Sequence, residues 1–170
     1  MIEKYRCLAA VIAAHPDHQV VGRTRLQKTV KLLQRLGAPM DYDYMIHFYG
    51  PYSEGVQSDI GLLENLDLVK EEPHQSQDGS PYFILRATDE AKKIAKTSEL
   101  KPFLGAIQVM SDTNPTVLEL AATYDAFRES GDDHKTASTR VRRKKGTKCD
   151  DGRLAEAMKL LKQLGLEAAS

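Results

Sequence analysis

The chain has 170 residues, 24 acidic and 24 basic side chains, and 41% hydrophobic residues. This length and composition predict one soluble globular domain of average size, with enough apolar residues for a core and room for a helical extension. No run approaches the roughly 18 apolar residues of a membrane span, and the N-terminus lacks a signal-peptide pattern, so we expect a cytoplasmic protein without membrane contact. Two distant cysteines, Cys7 and Cys149, exclude a disulfide framework.

The net charge of zero hides a segregated distribution. Residues 22–37 and 134–148 carry basic side chains and no acid, whereas residues 51–72 carry six acids against Lys70 alone. Charge blocks of this kind are candidates for contact with a partner.

The first predicted elements are two amphipathic helices. Apolar spacing over residues 2–14 predicts a helix that ends before Pro16, because proline disfavours helical backbone in its predecessor. Residues 24–36 place apolar side chains on one face of a second helix. Its other face is predicted to be a solvent-facing basic stripe of Lys28, Lys31 and Arg35.

A short strand and an acidic helix follow. The aromatic and β-branched run at residues 44–49 predicts a strand, and Gly50-Pro51 is predicted to break it. Ser53 is a capping residue for the next helix, and Glu54 complements the helix dipole.

The next predicted elements are two strands, at residues 68–72 and 82–86, joined as a hairpin with a long polar tip. Thr88-Asp89 caps a further helix. Helix, helix, strand, helix and hairpin is the order of a winged helix-turn-helix domain. We therefore predict an α+β, mainly helical fold: a winged helix-turn-helix-like domain over residues 1–97, and a C-terminal helical extension over residues 98–170 that contains the basic segment 134–148.

Two motifs also carry a family resemblance. Gly22-Arg-Thr-Arg-Leu-Gln-Lys28, followed by Tyr49-Gly-Pro-Tyr-Ser53 and Leu63-Glu-Asn-Leu-Asp-Leu-Val69, resembles the uncharacterised YwgA-like bacterial and archaeal family. More distantly, the Leu-Gln-Lys helix and the Tyr-Gly-Pro turn resemble the Panacea domain of phage-associated antitoxins. The first resemblance implies a winged-helix fold, and the second implies toxin neutralisation by protein contact.

No catalytic motif is found, so we expect a non-enzymatic protein without cofactor or metal. His15 and His18 have a spacing that could approach a metal, but no second pair of ligands accompanies them. Asp41 and Asp43 lie where turn and cap residues are expected.

The leading functional hypothesis is a DNA-associated regulator that binds double-stranded DNA through a non-standard basic surface. The acidic third helix would be repelled by phosphate, so the usual insertion of that helix into the major groove is not expected. The candidate nucleic-acid-binding residues are Arg23, Arg25, Lys28, Lys31, Arg35, Arg140, Arg142, Arg143, Lys144 and Lys145. Two alternatives are a solvated basic surface and docking of these cations on the acidic helix of the same molecule or a second copy.

The alternative function is an antitoxin-like protein-interaction module. Its candidate partner-binding residues, on the acidic helix and the tyrosine-rich corner, are Tyr49, Tyr52, Glu54 and Asp59. Aromatic side chains at such a corner could grip a peptide or stack on bases, or could belong to the core. Arg23 and Arg25 could instead pair with the acidic helix, which would make that motif structural. Homodimer formation stays open.

Overall fold

The computed structural model describes residues 3–97 and 99–166. Residues 1–2 of the predicted winged-helix-like domain, and residues 98 and 167–170 of the predicted extension, lie outside the described residues. The described helices are α1 (Lys4–Ala14), α2 (Arg23–Arg35), α3 (Glu54–Asn65), α4 (Asp89–Thr97), α5 (Leu104–Ser111), α6 (Pro115–Glu129), α7 (His134–Lys145) and α8 (Arg153–Gln163). The described strands are β1 (Gln19–Val21), β2 (Met45–His47), β3 (Gly50–Tyr52), β4 (Val69–Gln75) and β5 (Pro81–Ala87).

A three-stranded antiparallel sheet has the order β1-β5-β4. The predicted hairpin between residues 68 and 86 is confirmed as β4 and β5, in which Glu72 faces Ile84. Strand β1 escaped prediction because three residues are too few to reveal a period-2 pattern. These residues adopt strand conformation because they pair with β5, where Val20 faces Leu85.

The predicted break at Gly50-Pro51 is instead the second strand of a small hairpin. Strand β3 pairs with β2, so that Ile46 faces Pro51 and His47 faces Gly50. The proline is tolerated there because it sits in an edge strand, where its missing N–H removes no ladder hydrogen bond. Ser53 then caps α3 as predicted, since its Oγ accepts from the Val56 N–H at 3.3 Å.

The C-terminal helices fold back onto the N-terminal elements. Helix α6 starts with the predicted Asn114 cap and Pro115 in its first turn, and it packs against α2, β3, α7 and α8. One cluster of buried apolar side chains extends from Cys7 in α1 to Leu161 in α8. Because α6 covers the face of α2 that was expected to meet solvent, Lys28 and Lys31 are buried.

Among the described residues, no helix combines the length and apolar character required to span a bilayer.

Candidate functional site

The two motifs that carry the family resemblance contact each other through hydrogen bonds from side chains to the backbone. Gln27 Nε2 donates to the Ser53 carbonyl at 2.9 Å, and the Ser53 N–H donates to Gln27 Oε1 at 2.9 Å. Beside it, Lys28 Nζ donates to the Pro51 carbonyl at 2.7 Å. Both side chains are buried, so they satisfy backbone groups that water cannot reach. The Leu-Gln-Lys helix therefore holds the Tyr-Gly-Pro-Tyr-Ser turn in place.

The basic run of the C-terminal region supports the same turn. Lys145 Nζ donates to the Phe48 carbonyl at 3.1 Å and lies 3.6 Å from Glu119 Oε2. Lys148 Nζ lies 2.9 Å from that carboxylate oxygen and 5.2 Å from the centre of the Tyr49 ring. These two cations thus dock on α6 and on the β2–β3 hairpin, and not on the acidic helix α3.

Sequence reasoning missed Glu119 and Thr123, which both lie on α6 beneath the hairpin. An acid inside the apolar run from Val117 to Ala122 is the signal that could have revealed Glu119 as the partner of a buried cation. Thr123 carries no such signal, because its role depends on how closely the turn approaches it.

That close approach requires a glycine at position 50. Gly50 has a φ of +91°, in the left-handed region, and a Cβ added there would lie 2.5 Å from Thr123 Oγ1. A side chain would therefore meet both backbone strain and a steric clash. The turn can rest on α6 only because Gly50 has no side chain.

Lys28 is a buried cation with little opposing charge. Its side chain is 2% exposed, and burial lowers its pKa to about 8. Glu119 raises that pKa, whereas Lys145 and Lys148 lower it. Burial also lowers the pKa of Lys145. Three lysines and one carboxylate thus interact in this part of the described chain, with an excess of positive charge.

An open cleft of about 540 Å³ lies between α2, the β2–β3 hairpin and α3. Lys28 and Arg23 line it from α2, and His47, Phe48 and Tyr52 line it from the hairpin. The rings of His47 and Tyr52 stack, with centroids 4.9 Å apart and an interplanar angle of 24°. Phe48 is 81% exposed. The cleft therefore combines cations with flat aromatic surface.

Arg23 and Arg25 have structural partners, although not the predicted ones. Arg23 Nε donates to Glu71 Oε2 at 2.9 Å, on β4 and not on α3. Arg25 pairs with no acid in the described part of the chain: it donates to the carbonyls of Met110 at 2.9 Å and Thr113 at 3.0 Å. Arg25 thereby satisfies carbonyls at the end of α5, where a helix leaves its acceptors without partners.

Two further cations of α2, Lys31 and Arg35, pair with acids of α6. Lys31 Nζ forms an ion pair with Glu129, and Arg35 Nε lies 2.8 Å from Asp125 Oδ2. The expected solvent exposure of Lys28 and Lys31 is therefore wrong. Periodicity identified the polar face of α2, but the acids that neutralise it lie about ninety residues further along the chain.

Among the candidate nucleic-acid-binding residues, the exposed ones lie on α7. Arg140 lies 2.6 Å from Asp132 Oδ2, and its guanidinium sits 3.9 Å from the centre of the Phe127 ring. Three further cations are exposed and form no ion pair with any described residue: Arg142, Arg143 and Lys144. Lys145, the tenth candidate, is 7% exposed and faces the hairpin.

The candidate partner-binding residues have different environments. Tyr49 is 57% exposed, Tyr52 is half-buried against His47, and Glu54 is exposed in the first turn of α3. Asp59 accepts a hydrogen bond from the Tyr42 hydroxyl at 2.6 Å, so its carboxylate already has a buried partner.

The histidines considered as metal ligands terminate α1 instead. The Nδ1–H of His15 donates to the Val11 carbonyl and that of His18 to the Ala13 carbonyl, each at 2.7 Å. Within residues 3–97 and 99–166, no three His, Cys, Asp or Glu side chains converge as a metal site would require. Burial raises the pKa of the Cys7 thiol to about 11, which disfavours the reactive thiolate.

These contacts define an α+β protein in which a glutamine–lysine helix fixes an aromatic turn. The chain is 28% identical over 118 residues to the uncharacterized protein YwgA of Bacillus subtilis (strain 168), an alignment that covers 69% of this chain and 71% of the relative. This similarity supports the resemblance to YwgA-like proteins. No family model matches the chain.

Proposed function

We propose that this chain is a non-enzymatic, winged-helix-type protein that binds double-stranded DNA through α7 and the neighbouring β2–β3 hairpin. The fold assignment is supported by the order α1, β1, α2, α3, β4, β5 and by the sheet order β1-β5-β4. In the proposed winged helix, α2 and α3 form the helix-turn-helix, and β4 and β5 form the wing. The β2–β3 hairpin is an insertion between the two helices.

The observation that carries the DNA proposal is the group of exposed cations on α7. Arg142, Arg143 and Lys144 have no ion-pair partner among the described residues. Cations that are already paired gain little from a phosphate, whereas free ones release counterions from DNA when they bind it. The cations of α2 are left out of this surface, because each of them has an internal partner.

The hairpin adds apolar side chains beside these cations. Ile46 lines a small cleft of about 250 Å³ together with Arg143 and Lys144 of α7. Phe48 projects from the same hairpin and is 81% exposed. Apolar side chains next to phosphate-binding cations can wedge between base steps, so the two features suit one DNA surface.

Helix α3 does not contact DNA in the proposed mode of binding. It presents exposed Glu54 and Glu64 and has no lysine or arginine between residues 54 and 65. Phosphate would repel such a surface in the major groove. DNA therefore approaches from the side of α7.

The test is fluorescence anisotropy with a labelled random duplex at several salt concentrations. Replacing Arg142, Arg143 and Lys144 together by alanine is expected to reduce affinity and to lower the slope of log affinity against log salt by about 3. The matched control replaces the exposed cations Lys96, Lys159 and Lys162, which removes the same charge elsewhere. Equal effects of the two triple variants, or no binding by the unaltered chain at low salt, would refute the proposal.

A second candidate function, an antitoxin-like protein-interaction module, is favoured by one observation. The β2–β3 hairpin exposes Met45, Ile46 and Phe48, at 55%, 39% and 81%. Neighbouring exposed apolar side chains are typical of protein interfaces. Contact with a protein would agree with the distant likeness to the Panacea domain. In-cell cross-linking tests this candidate: a protein captured by the unaltered chain and lost with Phe48→Asp, without DNA binding in the anisotropy assay, would support it.

A further inference from the structure

The cleft between α2 and the β2–β3 hairpin has the features of a small-molecule site. Its volume of about 540 Å³ falls within the range of ligand pockets. Its walls come from the two motifs that also fix the fold, namely the Leu-Gln-Lys helix and the Tyr-Gly-Pro turn. Because hydrogen bonds between those motifs hold both walls, the cleft is largely formed before any ligand arrives.

The charge around the cleft floor favours an anion. Lys28 forms the floor, and its ammonium donates to the Pro51 carbonyl, which leaves two of its three N–H groups for a ligand. No carboxylate among the described residues pairs directly with Lys28. Lys145 and Lys148 share Glu119 behind it, so the cluster has three cations and one anion. Lys28 and Lys145 are buried, and buried positive charge is costly unless an anion compensates it.

The wall and rim of the cleft favour a flat ring. His47 and Tyr52 stack on each other along the wall, and Phe48 stands almost fully exposed at the rim. Arg23 lines the opposite side, where its Nε and Nη2 bind Glu71 and its Nη1 remains for a ligand. Aromatic side chains stack on planar rings, and guanidinium groups bind oxyanions.

We propose that this cleft binds a planar ring that carries an oxyanion, with the oxyanion at Lys28 and the ring against Phe48 and Tyr52. This inference concerns the cleft and not the cations of α7, although Phe48 borders both surfaces, and it does not rest on DNA binding. The shared chemistry fits both a phosphate and a carboxylate as the oxyanion. A nucleoside monophosphate and an aromatic carboxylate are therefore both suitable probes.

The test is isothermal titration calorimetry of the full chain with four probes: adenosine 5′-monophosphate, adenosine, inorganic phosphate and benzoate. We expect one of the two ring-bearing anions to bind at least about tenfold more tightly than adenosine and than phosphate, because only a ring with an oxyanion uses both halves of the cleft. Tighter binding of the monophosphate identifies phosphate as the oxyanion, and tighter binding of benzoate identifies carboxylate.

Two variants locate the binding. Lys28→Gln is expected to abolish the preference for the anionic probe over adenosine, with Lys144→Gln as the matched control. Phe48→Ala, at a position that is 81% exposed, is expected to weaken binding of the anionic probe about tenfold, with Leu104→Ala as the control. The triple alanine variant of α7 should bind the probe normally, which separates this site from DNA binding. The proposal is overturned if neither anionic probe binds, or if Phe48→Ala leaves its affinity unchanged.

Discussion

Gln27 and Ser53 exchange two hydrogen bonds, in which the side-chain amide of Gln27 pairs with both the N–H and the carbonyl of Ser53 at 2.9 Å. The Gln27 amide thus satisfies the backbone N–H and carbonyl of Ser53, which a neighbouring strand would satisfy in a sheet. This contact joins helix α2 to the residue that caps α3, and together with the Lys28–Pro51 hydrogen bond it holds the turn between the two helices.

The Gln27–Ser53 contact predicts a large loss of stability for Gln27→Ala. The Ser53 N–H and carbonyl would stay buried without partners, which lowers the free energy of unfolding by about 3 kcal/mol. Urea unfolding measures this loss. Gln163→Ala makes the same change at an exposed position of α8 and should stay within about 0.5 kcal/mol of the unaltered chain. Similar losses in the two variants would contradict the role assigned to Gln27.

Replacing Gly50 by alanine is expected to destabilise the fold through a steric clash, which can be separated from the effect of backbone strain. Gly50→Ala adds a Cβ against Thr123 Oγ1 and strains a left-handed backbone, so a loss of about 3 kcal/mol or more is expected. Gly37 has a similar φ of +98° with nothing within 4 Å of an added Cβ. Gly37→Ala should therefore cost only the backbone strain, about 1 kcal/mol. Thermal unfolding of both variants measures the difference, and equal shifts would argue against the clash.

Lys28 predicts a dependence of stability on pH. Its pKa is lowered to about 8 in the folded chain from an ordinary value of 10.5, so the unfolded chain binds more protons between these values. Stability contributed by Lys28 therefore rises with pH in that interval, by about 1 kcal/mol between roughly pH 8 and pH 9. Urea unfolding of the unaltered chain and of Lys28→Met over this range isolates the effect. A stability difference between the two that stays constant with pH would contradict it.

Arg35 and Asp125 predict a stability loss that acid relieves. Asp125 is 2% exposed, and burial raises its pKa while Arg35 lowers it. Arg35→Met leaves the carboxylate buried without its cation, which costs about 3 kcal/mol near neutral pH. The pKa of Asp125 then rises further above its unfolded value, so the folded variant binds the extra proton and regains stability as pH falls. Unfolding midpoints at neutral and acidic pH measure this. A loss that does not shrink in acid would rule out Asp125 as the cause.

Local features of the sequence are sufficient to predict much of the fold. Ser53, Asn114 and Thr88 are cap residues whose side chains bond to backbone only two or three positions away. The hairpin of β4 and β5 likewise follows from two β-prone runs separated by a polar tip. Such signals act within a few residues, so they can be read before the chain is folded.

The environment of the charges was decided by tertiary structure alone. Lys31 and Glu129 are 98 positions apart, and Lys145 lies 97 positions from the Phe48 carbonyl that it binds. Periodicity shows that one face of α2 is polar, but it cannot show that α6 brings acids to that face and excludes water from it. Lys31 and Lys145, which the sequence analysis assigned to a nucleic-acid surface, instead form contacts inside the fold. Position in space, which sets burial and pairing, determines whether a cation is free to meet a partner.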